Sequence, residues 1–270
     1  MKLDTRPIGV FDSGIGGLTV VKEIMDTLPN ENIVYFGDTA RVPYGSKSAE
    51  TVTRFAKQNT RFLLTKNVKA IVVACNTASA FSLDELQNAF EIPVIGVIKP
   101  GANAAAKASK NKRIGIIGTE GTVNSRAYEK AIIKLLPDAK IYAYPCPLFV
   151  PIVEEGWANT KVSYMVAEEY LSQLKEKQID ALVMGCTHYP LLTKVVDDVL
   201  EHKVKLINPA RETALELKRI LNENCIENTI DNSAEYEYYV SDNPDKFKRV
   251  GGNFLEHDII NIRKIDIEKF

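Results

Sequence analysis

Metal-ligating side chains are scarce in this 270-residue chain: three histidines and four cysteines, with no Cys-x-x-Cys pair. Cys186 and His188 stand close together, but no second pair at zinc-like spacing completes a metal site. No Gly-x-Ser-x-Gly turn is present to expose a serine nucleophile. Excess charge is lacking too. Lys plus Arg number 34 against 35 Asp plus Glu, for a formal net charge of −1, so there is no electrostatic footprint for nucleic acid. No apolar run approaches the roughly 20 residues that a membrane span needs, and no charged segment followed by an apolar one opens the chain. Cysteines this sparse do not form a disulfide framework. Together these absences predict a cytoplasmic protein whose thiols are free to react.

What is present is ordinary globular composition, 45% hydrophobic and 26% charged, enough for one large domain or two small ones sharing a cleft. Apolar, β-prone runs recur at Ile8–Phe11, Ile33–Phe36, Ala70–Ala74, Val94–Ile98, Ile114–Ile117, Ile141–Ala143, Ala181–Met184 and Lys205–Ile207. Helical patterns fall between them at 18–28, 49–66, 83–90, 126–136, 162–177, 191–200 and 212–222. This alternation predicts an α/β protein with mostly parallel sheet flanked by helices. The basic stretch Lys107–Arg113 reads as a solvated helix end ahead of the strand at Ile114. From about Glu223 onward the pattern is less regular, and a loop-rich segment packed on the body is expected.

A weak internal repeat is the most informative feature. Ile8-Gly-Val-Phe-Asp-Ser-Gly is echoed by Ile114-Gly-Ile-Ile-Gly-Thr-Glu-Gly, and Ala70-Ile-Val-Val-Ala-Cys-Asn-Thr by Ala181-Leu-Val-Met-Gly-Cys-Thr-His, nearly the same distance further on. Each half supplies a strand ending in a Gly-rich turn, then a buried strand ending in Cys. In parallel α/β sheets, ligands bind beyond the carboxyl ends of the strands, so Cys75 and Cys186 both point toward such a site. Two like thiols suit a reaction that takes a proton from one face of a carbon and returns one to the other, since each face then has a group that is base in one direction and acid in the reverse. Each thiol precedes what reads as the cap and first turn of a helix, where exposed N–H groups favour the thiolate. A single Cys in such a place reads as a small buried hydrophobe; two at matching places in a repeat read as functional. Cys146 and Cys225 have no such partner and read as structural. A Cys–His nucleophile pair at Cys186 and His188 is conceivable, but leaves Cys75 without a role.

The loop Gly14-Ile15-Gly16-Gly17, between a strand and a helix, has the outline of a dinucleotide fingerprint, with Asp38 spaced for a ribose. Thr19 stands where its third glycine belongs, and Asp12 places a carboxylate where a pyrophosphate would sit. As an amino acid site the same loop offers backbone N–H groups and the Ser13 hydroxyl to a carboxylate, while Asp12 is free to accept from an ammonium or tune a thiol. A capping turn is the plainer reading of Asp12 alone. Arg41-Val42-Pro43-Tyr44-Gly45 is a rigid turn able to present backbone donors and the Tyr44 ring. Thr119 and Thr122 lie in the glycine turn of the second half and offer two hydroxyls to the same cleft. Glu154 and His188 are candidate groups behind Cys186, although an exposed carboxylate is the usual reading of a lone Glu.

Asp12-Ser13-Gly-Ile-Gly-Gly, Pro43-Tyr44-Gly45, Ala74-Cys75-Asn76-Thr77-Ala-Ser and Gly185-Cys186-Thr187-His188-Tyr-Pro, in that order over nearly the whole chain, resemble the glutamate racemase family. The resemblance implies two pseudo-symmetric α/β domains with the active site between them, here residues 1–97 with 208–270, and residues 98–207. It implies no pyridoxal phosphate, no metal and no other cofactor. It further implies that Cys75 acts on the proton of D-glutamate and Cys186 on that of L-glutamate, with Asp12 near the first thiol and Glu154 and His188 near the second. Substrate contacts implied are Asp12, Ser13, Tyr44, Gly45, Asn76, Thr77, Thr187 and His188. The implied role is supply of D-glutamate for peptidoglycan, hence cell-wall biogenesis and cell shape. Because the chain begins only seven residues before Ile8, a homodimer without activation by a cell-wall precursor is expected. Racemization of aspartate or a hydantoin, or non-catalytic binding of an acidic metabolite, are the alternatives.

Overall fold

The computed structural model describes residues 4–230 and 234–270. In chain order its elements begin β1 (Ile8–Asp12), α1 (Leu18–Thr27), β2 (Ile33–Gly37), α2 (Ala49–Leu64), β3 (Ala70–Val73), α3 (Asn76–Ala89), β4 (Val94–Gly96) and α4 (Ile98–Ala108). They continue with β5 (Arg113–Gly118), α5 (Glu120–Asn124), α6 (Ala127–Leu135), β6 (Lys140–Pro145), α7 (Phe149–Glu154), α8 (Lys161–Glu176) and β7 (Ala181–Gly185). A 3-10 turn over Tyr189–Leu192 then leads to α9 (Thr193–Val199), β8 (Lys205–Ile207), α10 (Pro209–Glu223), β9 (Tyr236–Val240), α11 (Pro244–Leu255) and β10 (Ile262–Lys264).

Strands β1, β2, β3 and β7 are buried at every residue, as apolar runs covered by helices on both faces must be. They lie in two parallel sheets, β10-β9-β2-β1-β3-β4 and β6-β5-β7-β8. The order β2-β1-β3-β4 in the first equals β6-β5-β7-β8 in the second. Ile8 pairs with Ala70 across β1 and β3, and Ile114 with Ala181 across β5 and β7. These are the residues that open the repeated segments, so the repeat preserves strand register as well as strand order. In both sheets the chain leaves the central strand first to one side and then to the other, which opens a crevice at the carboxyl ends of the strands.

Several expectations need correction. The segment after Glu223 is not loop-rich among its described residues: β9 pairs with β2 from Ile33↔Tyr236 to Gly37↔Val240, and α11 covers the first sheet with Phe247 and Phe254 buried. Tyr238 and Tyr239 are buried in β9, which lies between β2 and β10, and the two Phe side chains pack from the helix. Helix α3 starts at Asn76, where the cap at Cys75 predicts it, and runs on through the 83–90 pattern as one helix; its first turns are rich in Ala, Ser and Thr and have no apolar stripe for periodicity to detect. Helix α4 ends at Ala108, within the basic stretch read as a helix end, but its span, with Gly101 inside it, is not among the helical patterns, and neither are the short helices α5 and α7, the latter interrupted by Pro151.

At the opposite end of the first sheet from its crevice, Lys69 and Glu31 form a fully buried ion pair at 2.6 Å. Lys69 also donates to the Asp4 carbonyl at 2.8 Å, and Glu31 accepts from the Asn228 backbone N–H at 2.8 Å, which ties both chain-terminal segments to the sheet. Removing one partner leaves the other charge buried and unpaired, at a cost of about 3–5 kcal/mol. Lys69→Met is therefore expected to lower urea stability by that order, and Lys69→Met with Glu31→Leu to recover most of it. Equal losses in the single and double variants would contradict this.

Candidate active site

The two crevices face each other. Asp12 ends β1, and Cys75 follows β3 as the residue capping α3, with its carbonyl accepting from Ser79 N–H at 2.8 Å. In the second half, Thr119 follows β5 and caps α5, accepting from the Thr122 N–H at 3.3 Å, and Cys186 follows β7. Cys75 and Cys186 line one cavity of about 30 Å³ together with Ser13, Val42, Pro43, Tyr44, Gly45, Asn76, Thr77, Thr119, Val150, Thr187 and His188. This is room for roughly one or two water molecules.

The halves come this close because two turns lack side chains. A Cβ on Gly16 would lie 2.3 Å from Thr187 Oγ1 and 2.5 Å from His188 Nδ1; one on Gly45 would lie 2.5 Å from Thr119 Cβ. Thr19, one turn past Gly16, donates to the Thr187 carbonyl at 3.0 Å. The glycine loop therefore receives the other half of the chain where a dinucleotide would place its pyrophosphate, and the dinucleotide reading fails. Asp38 is likewise committed: it pairs with Arg41 at 2.7 Å, accepts from Ser241 at 2.9 Å and takes a short hydrogen bond from the Tyr44 hydroxyl. Tyr44 thus lines the cavity with its hydroxyl fixed to Asp38. Gly45 contributes its carbonyl, which accepts from Gly121 N–H of the second half at 2.8 Å.

Around Cys75, the sulfur lies 3.7 Å from Ser13 Oγ. Asp12 is fully buried and accepts from Gly14 N–H at 2.9 Å and from the Thr187 hydroxyl at 3.5 Å. Burial holds the Asp12 carboxyl above its ordinary range, against the opposing pull of His188 and of neighbouring backbone N–H groups. The expected activation of Cys75 by its helix does not dominate here. Burial, and then the charge of Asp12, push this thiol up to about 12, outweighing the N–H groups of α3.

Cys186 has a different flank. The helix expected to follow it starts only with the 3-10 turn at Tyr189, and the Cys186 sulfur lies 3.9 Å from His188 Nδ1. His188 Nε2 meets Glu154 Oε1 at 3.2 Å. Burial works against a charged imidazole, but Cys186 and Glu154 outweigh it and hold His188 up to about 10. The His188 contact, helped by Lys246 and opposed by burial, holds Glu154 down to about 2. Glu154 reaches the cavity only through His188.

Of the remaining predicted residues, Asn76 lines the cavity and accepts from the Tyr128 hydroxyl at 2.7 Å. Thr77, Thr119 and Thr122 form a triangle of hydroxyls at 2.9–3.2 Å across the two halves, with Thr77 and Thr119 at the cavity wall and Thr122 behind them. Cys146 is buried, and Cys225 is exposed. Tyr128, Val150 and Lys246 were missed. Tyr128 and Lys246 meet their partners only across the two halves, so no local sequence signal marks them.

Two like thiols at equivalent strand ends line one enclosed cavity, an arrangement suited to the two faces of a single carbon; the fold and site are those of a racemase. The chain belongs to the Asp/Glu/hydantoin racemase family, which matches residues 8–217. It is 48% identical to the glutamate racemase of Geobacter metallireducens over 263 residues, 97% of each protein. Among solved structures, glutamate racemase from Francisella tularensis in complex with D-glutamate superposes with a TM-score of 0.93 at 45% identity, covering 99% of this chain and all of that one. Glutamate racemase from Thermus thermophilus, in complex with β-chloro-D-alanine, gives 0.90 at 41% over the whole of both chains.

The charge pair behind Cys186 has a pH signature. His188, raised from 6.5 to about 10, contributes stability in full below pH 6.5 and loses it as pH rises toward 10. Glu154, lowered from 4.5 to about 2, contributes above pH 4.5 and loses its share as pH falls toward 2. The stability difference between wild type and His188→Asn, from urea unfolding at a series of pH values, is therefore expected to be largest between pH 4.5 and 6.5 and to shrink on both sides. A difference independent of pH would contradict the pairing.

Proposed function

We propose that this enzyme interconverts L- and D-glutamate by a two-thiol mechanism, and the observation that carries the proposal is the placement of Cys75 and Cys186 on one enclosed cavity. With L-glutamate bound, the Cys186 sulfur takes the α-proton, and the electron pair of the broken C–H bond moves toward the α-carboxylate. The Cys75 thiol then delivers its proton to the opposite face of the same carbon. D-glutamate follows the reverse path, so each cysteine ends a turnover in the state that the opposite direction requires. Burial pushes the Cys75 thiol up to about 12 and keeps it protonated, which is the state needed for the L-to-D direction. His188, held protonated and backed by Glu154, supplies a counter-charge to the Cys186 sulfur.

Ser13, Asn76, Thr77, Thr119 and Thr187 bring hydroxyl and amide groups to the cavity wall, a lining that suits the two carboxylates and the ammonium of glutamate. Thr122 steadies Thr77 and Thr119. Asp12, Tyr44 and Gly45 complete the substrate-contacting set. Because the cavity is smaller than glutamate, the two lobes, 1–97 with 208–270 and 98–207, part to admit substrate and close over it; closure excludes water from the carbanion-like transition state.

Glutamate is favoured over aspartate or a hydantoin by the near full-length identity to glutamate racemases. A non-catalytic binder has no use for two opposed thiols. Among the described residues no helix is long and apolar enough to cross a membrane, and we place the enzyme in the cytoplasm as a homodimer supplying D-glutamate for peptidoglycan. A light-scattering dilution series is expected to show dimer at the highest concentrations; monomer throughout, with full activity, would contradict it.

The deciding experiment is proton NMR in deuterated water, without added cofactor, with L-glutamate, D-glutamate and L-aspartate in separate tubes. Both glutamate enantiomers are expected to lose their α-proton signal and racemize, and aspartate to remain unchanged. Cys75→Ser and Cys186→Ser are each expected to lower turnover by at least about 100-fold. Turnover intact in both variants would overturn the mechanism, and no exchange with any of the three would favour the binding protein.

A further inference from the structure

The carboxylate of Glu154 is shared between two cations. Its Oε1 faces His188 Nε2 at 3.2 Å, and its Oε2 accepts from Lys246 Nζ at 3.1 Å. The two donors belong to different halves of the fold. His188 follows β7, whereas Lys246 lies in the first turn of α11, on the first sheet. Its place there is tightly set. The Lys246 N–H donates to the capping Asn243 side chain at 3.0 Å. The next residue, Phe247, packs its ring 5.8 Å from that of Tyr35, whose hydroxyl donates to the Gly14 carbonyl at 2.8 Å. Lys246 is thus anchored to the glycine loop beside Cys75 while its ammonium reaches across to the acid behind Cys186.

Lys246 and Glu154 also wall a second cavity, of about 150 Å³, that shares Val42 with the smaller one. A carboxylate there with one oxygen untied turns readily toward water. With Oε2 held by Lys246, Oε1 stays aimed at Nε2, and the imidazole presents its Nδ1 edge to the Cys186 sulfur.

We propose that Lys246 is a positioning residue for the proton transfer at Cys186, acting through Glu154 and His188. The proposal rests on the glutamate reading above. It concerns one thiol alone: the polar neighbours of Cys75 are Ser13 and Asp12, and neither touches Lys246. Half-exposed ion pairs contribute little to stability, and the Lys246 side chain is 40% exposed, so its replacement leaves the fold intact.

The test is Lys246→Met and Lys246→Arg in the full-length enzyme. Because the two enantiomers are equal in energy, kcat/KM must fall equally in both directions, and the expected fall for Lys246→Met is about tenfold. Isotope effects show which transfer has slowed. If the Cys186 step becomes limiting, the primary effect on kcat/KM rises above wild type with 2-deuterio-L-glutamate and drops with 2-deuterio-D-glutamate. Lys246→Arg, which can still bond Glu154, is expected to restore both. Unchanged kcat/KM, isotope effects that move together, or an arginine variant no better than methionine would each overturn the role and leave Lys246 as a tether between lobes at most. Failure of the glutamate reading itself would appear in the wild-type enzyme, as absence of α-proton exchange with either enantiomer, and would overturn the proposal with it.

Discussion

Two missing side chains set the working distance of the molecule. At Gly16 and Gly45 the halves approach so closely that even a methyl group would overlap Thr187, His188 or Thr119. With hydrogen there instead, the two Gly-rich turns interlock, three threonine hydroxyls meet across the seam, and the space left between the thiols shrinks to about 30 Å³. The electrostatics follow from this fit. In an enclosed cavity an ionised thiol loses its hydration, so Cys75 stays protonated despite the helix it caps, and His188 holds its charge only because Glu154 and Cys186 lie beside it.

The frame is symmetric and the chemistry around it is not. Register and strand order coincide between the halves, which places the two cysteines equivalently at the ends of β3 and β7. The strand beside each cysteine ends differently. β1 ends in Asp12, directly beside Cys75, whereas its counterpart β5 ends in Gly118 and leaves no carboxylate for Cys186. That acid comes instead from α7, through His188, and it is steadied by a lysine from the opposite half. A racemase tolerates such asymmetry, since each face needs only a group that can both take and give a proton.

How much of this was legible in the sequence follows from the range of the forces involved. The parallel sheets and the repeat are encoded locally, in apolar runs, and the structure has them as the sequence predicts; Cys75 and Cys186 are found just past the ends of buried strands. The start of α3 is legible from the cap at Cys75, but the turns over Asn76–Ser82 have no apolar stripe, so periodicity alone detects only the later part of the helix. The final segment was misread for another reason: Tyr236–Val240 is a good strand only because β2 offers it an edge. Tyr128 and Lys246 are ordinary helical residues until the second lobe arrives, so only the assembled seam reveals that one bonds Asn76 and the other grips Glu154.

The central claim is that two different thiols serve the two faces of the substrate. Its most direct test is to run each direction in deuterated water to low conversion and weigh the two enantiomers separately. The account predicts that the product carries deuterium at the α-carbon while the remaining substrate keeps its hydrogen, because the incoming proton comes from a thiol that has exchanged with solvent and the outgoing one leaves with the other. Product that retains the original hydrogen would contradict it, since one group would then have carried the proton across both faces.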